Sequence, residues 1–147
     1  LTGYETVVDL YSGTGTIPIW LSDKAAMVYG IEIVTSAVVD AKKNAELNGI
    51  HNCEFLQGDI KDVLPRLNAK PDVMIIDPPR VGMHKDVVEQ LLKVNPSKIL
   101  YISCNPSTQA RDLAMLKEKY KVELSQAVDM FPHTQHVENI VLLSKIS

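Results

Sequence analysis

Cys104 ends the apolar run Ile99-Leu100-Tyr101-Ile102-Ser103 and is followed at once by Asn105-Pro106, a pair that turns the chain away from a strand. A thiol at that point faces the first N–H groups of the next helix, which favour its thiolate, so Cys104 is a candidate nucleophile. Cys53, inside Cys53-Glu54-Phe55-Leu56, has no such setting and reads as structural. A second group surrounds Asp9-Leu10-Tyr11-Ser12-Gly13-Thr14-Gly15, which puts Gly13 and Gly15 between a strand and a helix, where backbone can come close to a ligand. A dinucleotide fingerprint needs a third glycine where Pro18 stands, and no phosphate loop ending in Gly-Lys is present, so NAD and ATP are disfavoured. Glu32, after the second strand, can accept both hydroxyls of a ribose, and Asp59, after the third, can accept from an adenine amine. Taken singly, each acid also reads as a helix N-cap. Together with the glycine loop they suit an adenosine without a pyrophosphate, and the expected cofactor is S-adenosylmethionine. Asp77-Pro78-Pro79-Arg80 is a rigid turn that holds the Asp77 carboxylate at a set angle. It suits a planar ring, whether adenine, cytosine, guanine or the N3–H of uracil; the plainer alternative is a proline turn with Arg80 on the surface.

The elements that must position these groups alternate. Strands are expected over 6–11, 28–33, 53–57, 72–76 and 98–102, with a short helix before residue 28 and helices over 35–48, 61–66, 84–93 and 107–119. The helix at 35–48 has Thr35 or Ser36 to cap it and Gly49 just past its end. Alternation of this kind predicts a parallel sheet. Runs at 122–129 and 137–144 are joined too closely for a crossover helix, so they predict an antiparallel pair at the edge of a doubly wound α/β domain.

The chain has 147 residues, 15 Lys and Arg against 18 Asp and Glu, two Cys and 46% hydrophobic residues. That describes one folded domain rather than a disordered chain. No apolar run approaches the roughly 20 residues of a membrane-spanning helix, and residues 1–15 lack a signal-peptide pattern, so a cytoplasmic protein without a membrane partner is expected. The two cysteines have no metal-ligand spacing, and the four histidines, His133 and His136 among them, are assigned to loop structure; no metal is expected. Residues 1–73 carry 6 basic and 10 acidic side chains, the remainder 9 and 8. That balance predicts weak RNA binding by this domain alone, because phosphate contacts need clustered Lys and Arg. The start one strand before the glycine loop suggests a piece of something longer.

Four stretches resemble the RNA uracil-5-methyltransferases, which form 5-methyluridine with S-adenosylmethionine. They are Asp9 to Gly15; Ile76-Asp77-Pro78-Pro79-Arg80; Tyr101-Ile102-Ser103-Cys104-Asn105-Pro106-Ser107-Thr108 with Arg111-Asp112; and Asp129-Met130-Phe131-Pro132-His133-Thr134-Gln135-His136-Val137-Glu138. They stand in family order over almost the whole chain. The resemblance implies a Rossmann-like class I methyltransferase fold, a mostly parallel seven-stranded sheet with a C-terminal antiparallel hairpin. It also implies Cys104 as nucleophile, Glu138 as general base, and cofactor contacts from Tyr11, Glu32 and Asp77, with Thr16 and Asp59 added in some members. Asp77, Pro78 and Arg80 are expected to meet the substrate. Residues 1–147 correspond to the C-terminal catalytic domain, without the OB-fold RNA-binding domain and the central segment found in family members. The expected substrate is a uridine in 23S ribosomal RNA, with transfer RNA as the alternative; a nucleic-acid amino-group methyltransferase is the rival from outside the family.

The chemistry accounts for the two residue types. Uracil C5 is a poor nucleophile until a thiolate adds at C6, and after methylation a base must remove the C5 proton so that the thiolate can leave.

Overall fold

Four parallel strands that are buried on both faces need side chains that are apolar on both faces, and Val7, Val8 and Leu10, or Met74, Ile75 and Ile76, supply them. The computed structural model describes residues 1–130, 132–134 and 137–146. Strands β1 (Thr6–Leu10), β2 (Met27–Glu32), β3 (Cys53–Gln57), β4 (Val73–Ile76) and β5 (Lys98–Ser103) are parallel. Strands β6 (Tyr120–Val128) and β7 (Glu138–Lys145) complete a seven-stranded sheet in the order β3-β2-β1-β4-β5-β7-β6. β7 runs antiparallel to both of its neighbours, as the short connection predicts.

Helices α1 (Thr16–Leu21) and α2 (Thr35–Leu47) cover one face, with Leu21 packed near Val7 and Ile75, and Val38, Ala41 and Ala45 packed on Phe55. Helices α3 (Ile60–Val63), α4 (Lys85–Val94) and α5 (Pro106–Leu116) cover the other, where Ile60, Leu91 and Leu116 join Leu10, Ile76 and Tyr101 in the main core. Three expected boundaries move. Val34, not Thr35 or Ser36, occupies the N-cap position of α2 and makes no side-chain cap. The reason is Glu32, whose Oε1 accepts the Val34 N–H at 2.9 Å and turns the chain into the helix one residue early. The expected helix at 61–66 is a single α-turn followed by a 3-10 turn, Leu64–Arg66, that contains Pro65. The last helix stops at Leu116, its final buried residue, and a turn leads into Tyr120.

Gly15 carries α1 against the sheet. Its φ is +85°, and an added Cβ would lie 2.8 and 2.9 Å from the Phe55 ring and 3.0 Å from the Ala41 Cβ. The close approach that demands glycine here is to the Phe55 ring and the Ala41 side chain. Gly15→Ala is therefore expected to cost roughly 1–3 kcal/mol through overpacking and backbone strain. Urea or thermal unfolding measures it, and a variant as stable as the parent contradicts this packing.

Candidate active site

The sheet register lines up the chemical groups. Leu10 pairs with Ile31 and Ile76, so the next residues, Tyr11, Glu32 and Asp77, leave the sheet side by side. On β5, Ser103 pairs with Asn139, and the same register continued by one residue brings Cys104 opposite Glu138. Burial raises the pKa of the Asp77 carboxyl, and the charge of Glu138 raises it further, so the acids that leave β4 and open β7 share one region. Asp77 is exposed as a residue although its carboxyl is partly enclosed. Cys104 and Glu138 are both half-buried.

Tyr11 bends the chain into the glycine loop with a φ of +68°, a conformation that is strained for a bulky residue. It is held there because its N–H and that of Ser12 both reach the Ile31 carbonyl, at 3.0 and 3.1 Å. Burial, with the charges of Asp112 and Asp59, pushes its phenol up to about 12. Glu32 ties the loop to β2: Oε2 accepts the Gly13 N–H at 3.0 Å while Oε1 holds Val34, and each oxygen can accept a further bond. Asp59 does cap a helix. Its Oδ1 accepts the Lys61 N–H at 3.1 Å, and its Oδ2 lies 3.3 Å from the Lys61 Nζ.

Tyr11, Glu32 and Asp59 line a cavity of about 670 Å³ whose apolar wall includes Ile31, Ile33, Ile60, Val81 and Met83. Gly13, Gly15, Thr16, Asp77, Pro78, Arg80, Cys104 and Glu138 lie outside its lining. The structure thus places Tyr11, Glu32 and Asp59 in a cavity at the ends of β1 to β3, and Asp77, Cys104 and Glu138 at the ends of β4, β5 and β7, where the charge of Glu138 reaches Asp77.

Helix α5 joins the two groups. The Arg80 carbonyl accepts from Asn105 Nδ2 at 3.1 Å and from Thr108 Oγ1 at 3.2 Å. Asp112, fully buried, accepts the Met83 N–H at 2.8 Å and the Tyr101 hydroxyl at 2.6 Å through Oδ2. Its Oδ1 accepts from Arg111, whose Nη2 also donates to the Val81 carbonyl at 3.0 Å. Gly82 fits because a Cβ there would lie 2.6 Å from that Nη2 and 2.7 Å from Asp112 Oδ2. The first turn of α5 differs from the expectation for the thiol: Pro106 has no N–H, and that of Ser107 is taken by Asn105 Oδ1 at 3.1 Å. Cys53 donates to the Pro18 carbonyl at 3.3 Å, and burial pushes its thiol up, which fits a packing role.

Sequence reasoning passed over Asp9, which is 1% exposed and whose two carboxyl oxygens find no hydrogen-bond partner among the described residues. The buried Ser12 hydroxyl is also unpaired; it lies over Gly30, the residue that pairs with Asp9. Burial first, then the charges of Asp77 and Glu32, hold the Asp9 carboxyl well above the usual carboxylate range. The signal was present in the sequence as a charged residue inside the apolar run Val7-Val8-Asp9-Leu10. Among the described residues no group of three or more His, Cys, Asp or Glu is placed to hold a metal ion, and no helix is long and apolar enough to cross a membrane. His133 is exposed with a φ of +72°, whereas His136, with Phe131 and Gln135 of the same stretch, lies outside the described residues.

This sheet order, with acids at the strand ends beside an apolar cavity, defines a Rossmann-like methyltransferase domain. The sequence model of the tRNA (uracil-5-)-methyltransferases matches residues 2–146, and the chain belongs to that family. It is 57% identical over 147 residues to a protein of Bacteroides thetaiotaomicron named an uncharacterized RNA methyltransferase, covering 97% of this chain and 32% of that one. A similarly named protein of Porphyromonas gingivalis is 52% identical, with 97% and 32% covered. The structure of the Pyrococcus abyssi tRNA (uracil-54, C5)-methyltransferase in complex with S-adenosyl-L-homocysteine superposes with a TM-score of 0.86 at 38% identity, over 97% of this chain and 35% of that one. The chain spans about a third of the length of these relatives.

Asp9 provides a test of the site's electrostatics. A carboxyl whose folded pKa lies above its unfolded value of about 4 gives the folded state the extra proton. Its contribution is therefore present below that value and lost as pH rises through the folded pKa. Asp9→Asn removes this loss, so its stability relative to the parent is expected to improve steadily from acid to neutral pH in thermal unfolding. A pH-independent difference contradicts the assignment.

Proposed function

We propose that the protein transfers a methyl group from S-adenosylmethionine to C5 of a uridine in RNA, with Cys104 as nucleophile and Glu138 as general base. The observation that supports this reading is the register of β5 on β7, whose last pair, Ser103 with Asn139, stands next to Cys104 on one strand end and Glu138 on the other. The cavity fits the cofactor's adenosine: Ile33, Ile60, Val81 and Met83 offer apolar walls to a purine, while Glu32 and Asp59 offer acceptors to hydroxyls and an amine. Tyr11 stands between Glu32 and Asp77 in the same row, with Gly13 and Gly15 on the loop that follows it and Thr16 at the start of α1.

When bound, the cofactor supplies an electrophilic methyl on a sulfonium. The Cys104 thiolate adds to uracil C6, forming an Sγ–C6 bond and moving the C5=C6 electron pair onto C5 and the O4 carbonyl, which makes C5 nucleophilic. Once C5 carries both a proton and a methyl, Glu138 takes the proton. The C–H pair re-forms C5=C6, the Sγ–C6 bond breaks, and the thiolate is regenerated. The Asp77-Pro78-Pro79-Arg80 turn is suited to hold the ring, since Asn105 and Thr108 pin its Arg80 carbonyl beside the nucleophile's own turn. With a formal net charge of −3, this part of the protein leaves most of the RNA grip to the rest of the molecule.

The family description and the archaeal relative's name favour transfer RNA, and the resemblance alone favours 23S ribosomal RNA. Methyl transfer by the full-length protein to transcripts of each, followed by nucleoside analysis, separates them. 5-Methyluridine is the expected product, lost in Cys104→Ala, with turnover about 10²–10⁴-fold lower in Glu138→Gln. Methylation on an exocyclic amine, or activity retained in Cys104→Ala, overturns the proposal.

A further inference from the structure

Gln109 sits in the first turns of α5, at 1% exposure, where an apolar side chain would pack more cheaply against the sheet. Its amide is fully used. Nε2 donates to the Tyr101 carbonyl at 3.0 Å and to the Asn139 carbonyl at 3.1 Å, and Oε1 accepts from Asn139 Nδ2 at 2.7 Å. The orientation is unambiguous, because both carbonyls can only accept. Asn139 is therefore gripped at its backbone and at its side chain by one residue. It is the residue directly after Glu138, and its cross-strand partner, Ser103, is the residue directly before Cys104. Ser103 in turn shapes the thiol's turn, with its Oγ accepting the Asn105 N–H at 3.0 Å and donating to the Asn105 carbonyl at 3.1 Å.

Side chains alternate across a strand, so fixing Asn139 toward α5 fixes Glu138 toward the opposite face. Asp77 lies on that face too, because its neighbour Ile76 belongs to the core beneath α4 and α5. The charge of Glu138 acts on Asp77, as this arrangement requires. β7 reaches this point directly from the β6–β7 connection, and a one-residue slip there would turn Glu138 to the wrong face. Two amides that bond each other and the backbone of β5 and β7, with Asn139 Oδ1 also accepting from Ser125 of β6 at 3.4 Å, oppose such a slip.

We propose that the Gln109–Asn139 pair is a positioning device for the second half of the reaction, holding the start of β7 so that Glu138 meets the C5 proton of the Cys104-bound ring. The inference rests on the function proposed above and adds a division of labour: the pair serves proton removal and release of the thiolate, and leaves methyl transfer alone. In the step it governs, the C5 proton passes to the Glu138 carboxylate, the C–H pair becomes C5=C6, and Cys104 departs with the Sγ–C6 electrons.

The test is a single turnover of the full-length protein with methyl-labelled S-adenosylmethionine and RNA, quenched in denaturant and resolved into protein-linked and free RNA label. Gln109→Met keeps length and bulk but removes all three hydrogen bonds; Asn139→Ser removes one of these three, together with the Ser125 bond to Asn139, and leaves Gln109 in place. The expected result for Gln109→Met is methyl transfer and cofactor affinity close to those of the parent, with release slowed about tenfold, so that methylated adduct accumulates. Asn139→Ser should shift the same partition by less, and it decides the matter if Gln109→Met does not fold. Transfer and release slowed together, or a partition unchanged in a folded variant, overturns the inference while the parent's own adduct stands. A parent that shows no protein-linked label even on RNA containing 5-fluorouridine, where the C5 substituent cannot leave as a proton, fails at the earlier step, and both the mechanism and this inference fall.

Discussion

Parallel strands all end at the same edge of a sheet, so β1, β2, β3, β4 and β5 deliver Tyr11, Glu32, the Gly58-Asp59 pair, Asp77 and Cys104 to one rim. A strand of that orientation can offer the rim only residues at or beyond its C-terminal end. Glu138 begins its strand, and it reaches the same rim only because β7 enters antiparallel between β5 and β6. The reversed strand is the constraint on which the rest of the site depends. It brings Glu138 to the rim where β5 ends, and the backbone ladder fixes the pair Ser103–Asn139 that adjoins Cys104 and Glu138 before any side chain contributes.

Helix α5 converts that register into a site. Within eight residues it presents Asn105 and Thr108 to the Arg80 carbonyl, Gln109 to β5 and β7, and Arg111 with Asp112 to the 81–83 segment that walls the cavity. Each buried bond is worth about 1 kcal/mol net, but loss of a partner leaves a desolvated group that costs about 1–3 kcal/mol. The helix therefore links the cavity wall, the ring-holding turn and the nucleophile's turn into one unit. Displacement of the 79–83 segment would disturb the start of α5, and with it the residues on either side of Cys104.

The sheet was legible because period-2 and buried apolar runs report local burial, and the short gap before residue 138 admitted only an antiparallel return. Glu32 and Asp59 were legible as acids after strands but not in their division of labour. Asp59 caps α3, whereas Glu32 bridges Gly13 and Val34, a choice made by tertiary geometry that spacing does not record. The same holds for the cap of α2, which Glu32 displaced from Thr35. Asp9 and Gln109 went unread for a related reason: each is a polar residue in an apolar pattern, and only the packed structure separates one without a partner from one with three bonds. Gly15 carried a clear turn signal, and its neighbours in space turned out to be Phe55 and Ala41.

The central claim is that Cys104 bonds to the pyrimidine during turnover, and RNA containing 5-fluorouridine tests it most directly. Fluorine at C5 cannot leave as a proton, so after methyl transfer Glu138 has nothing to remove and the Sγ–C6 bond persists. The account predicts that the full-length protein, with S-adenosylmethionine, forms a denaturation-resistant protein–RNA adduct carrying the methyl group, mapped by peptide mass to Cys104 and absent in Cys104→Ala. Methylation of ordinary RNA with no adduct on the fluorinated RNA, or an adduct mapped to Cys53, would contradict it.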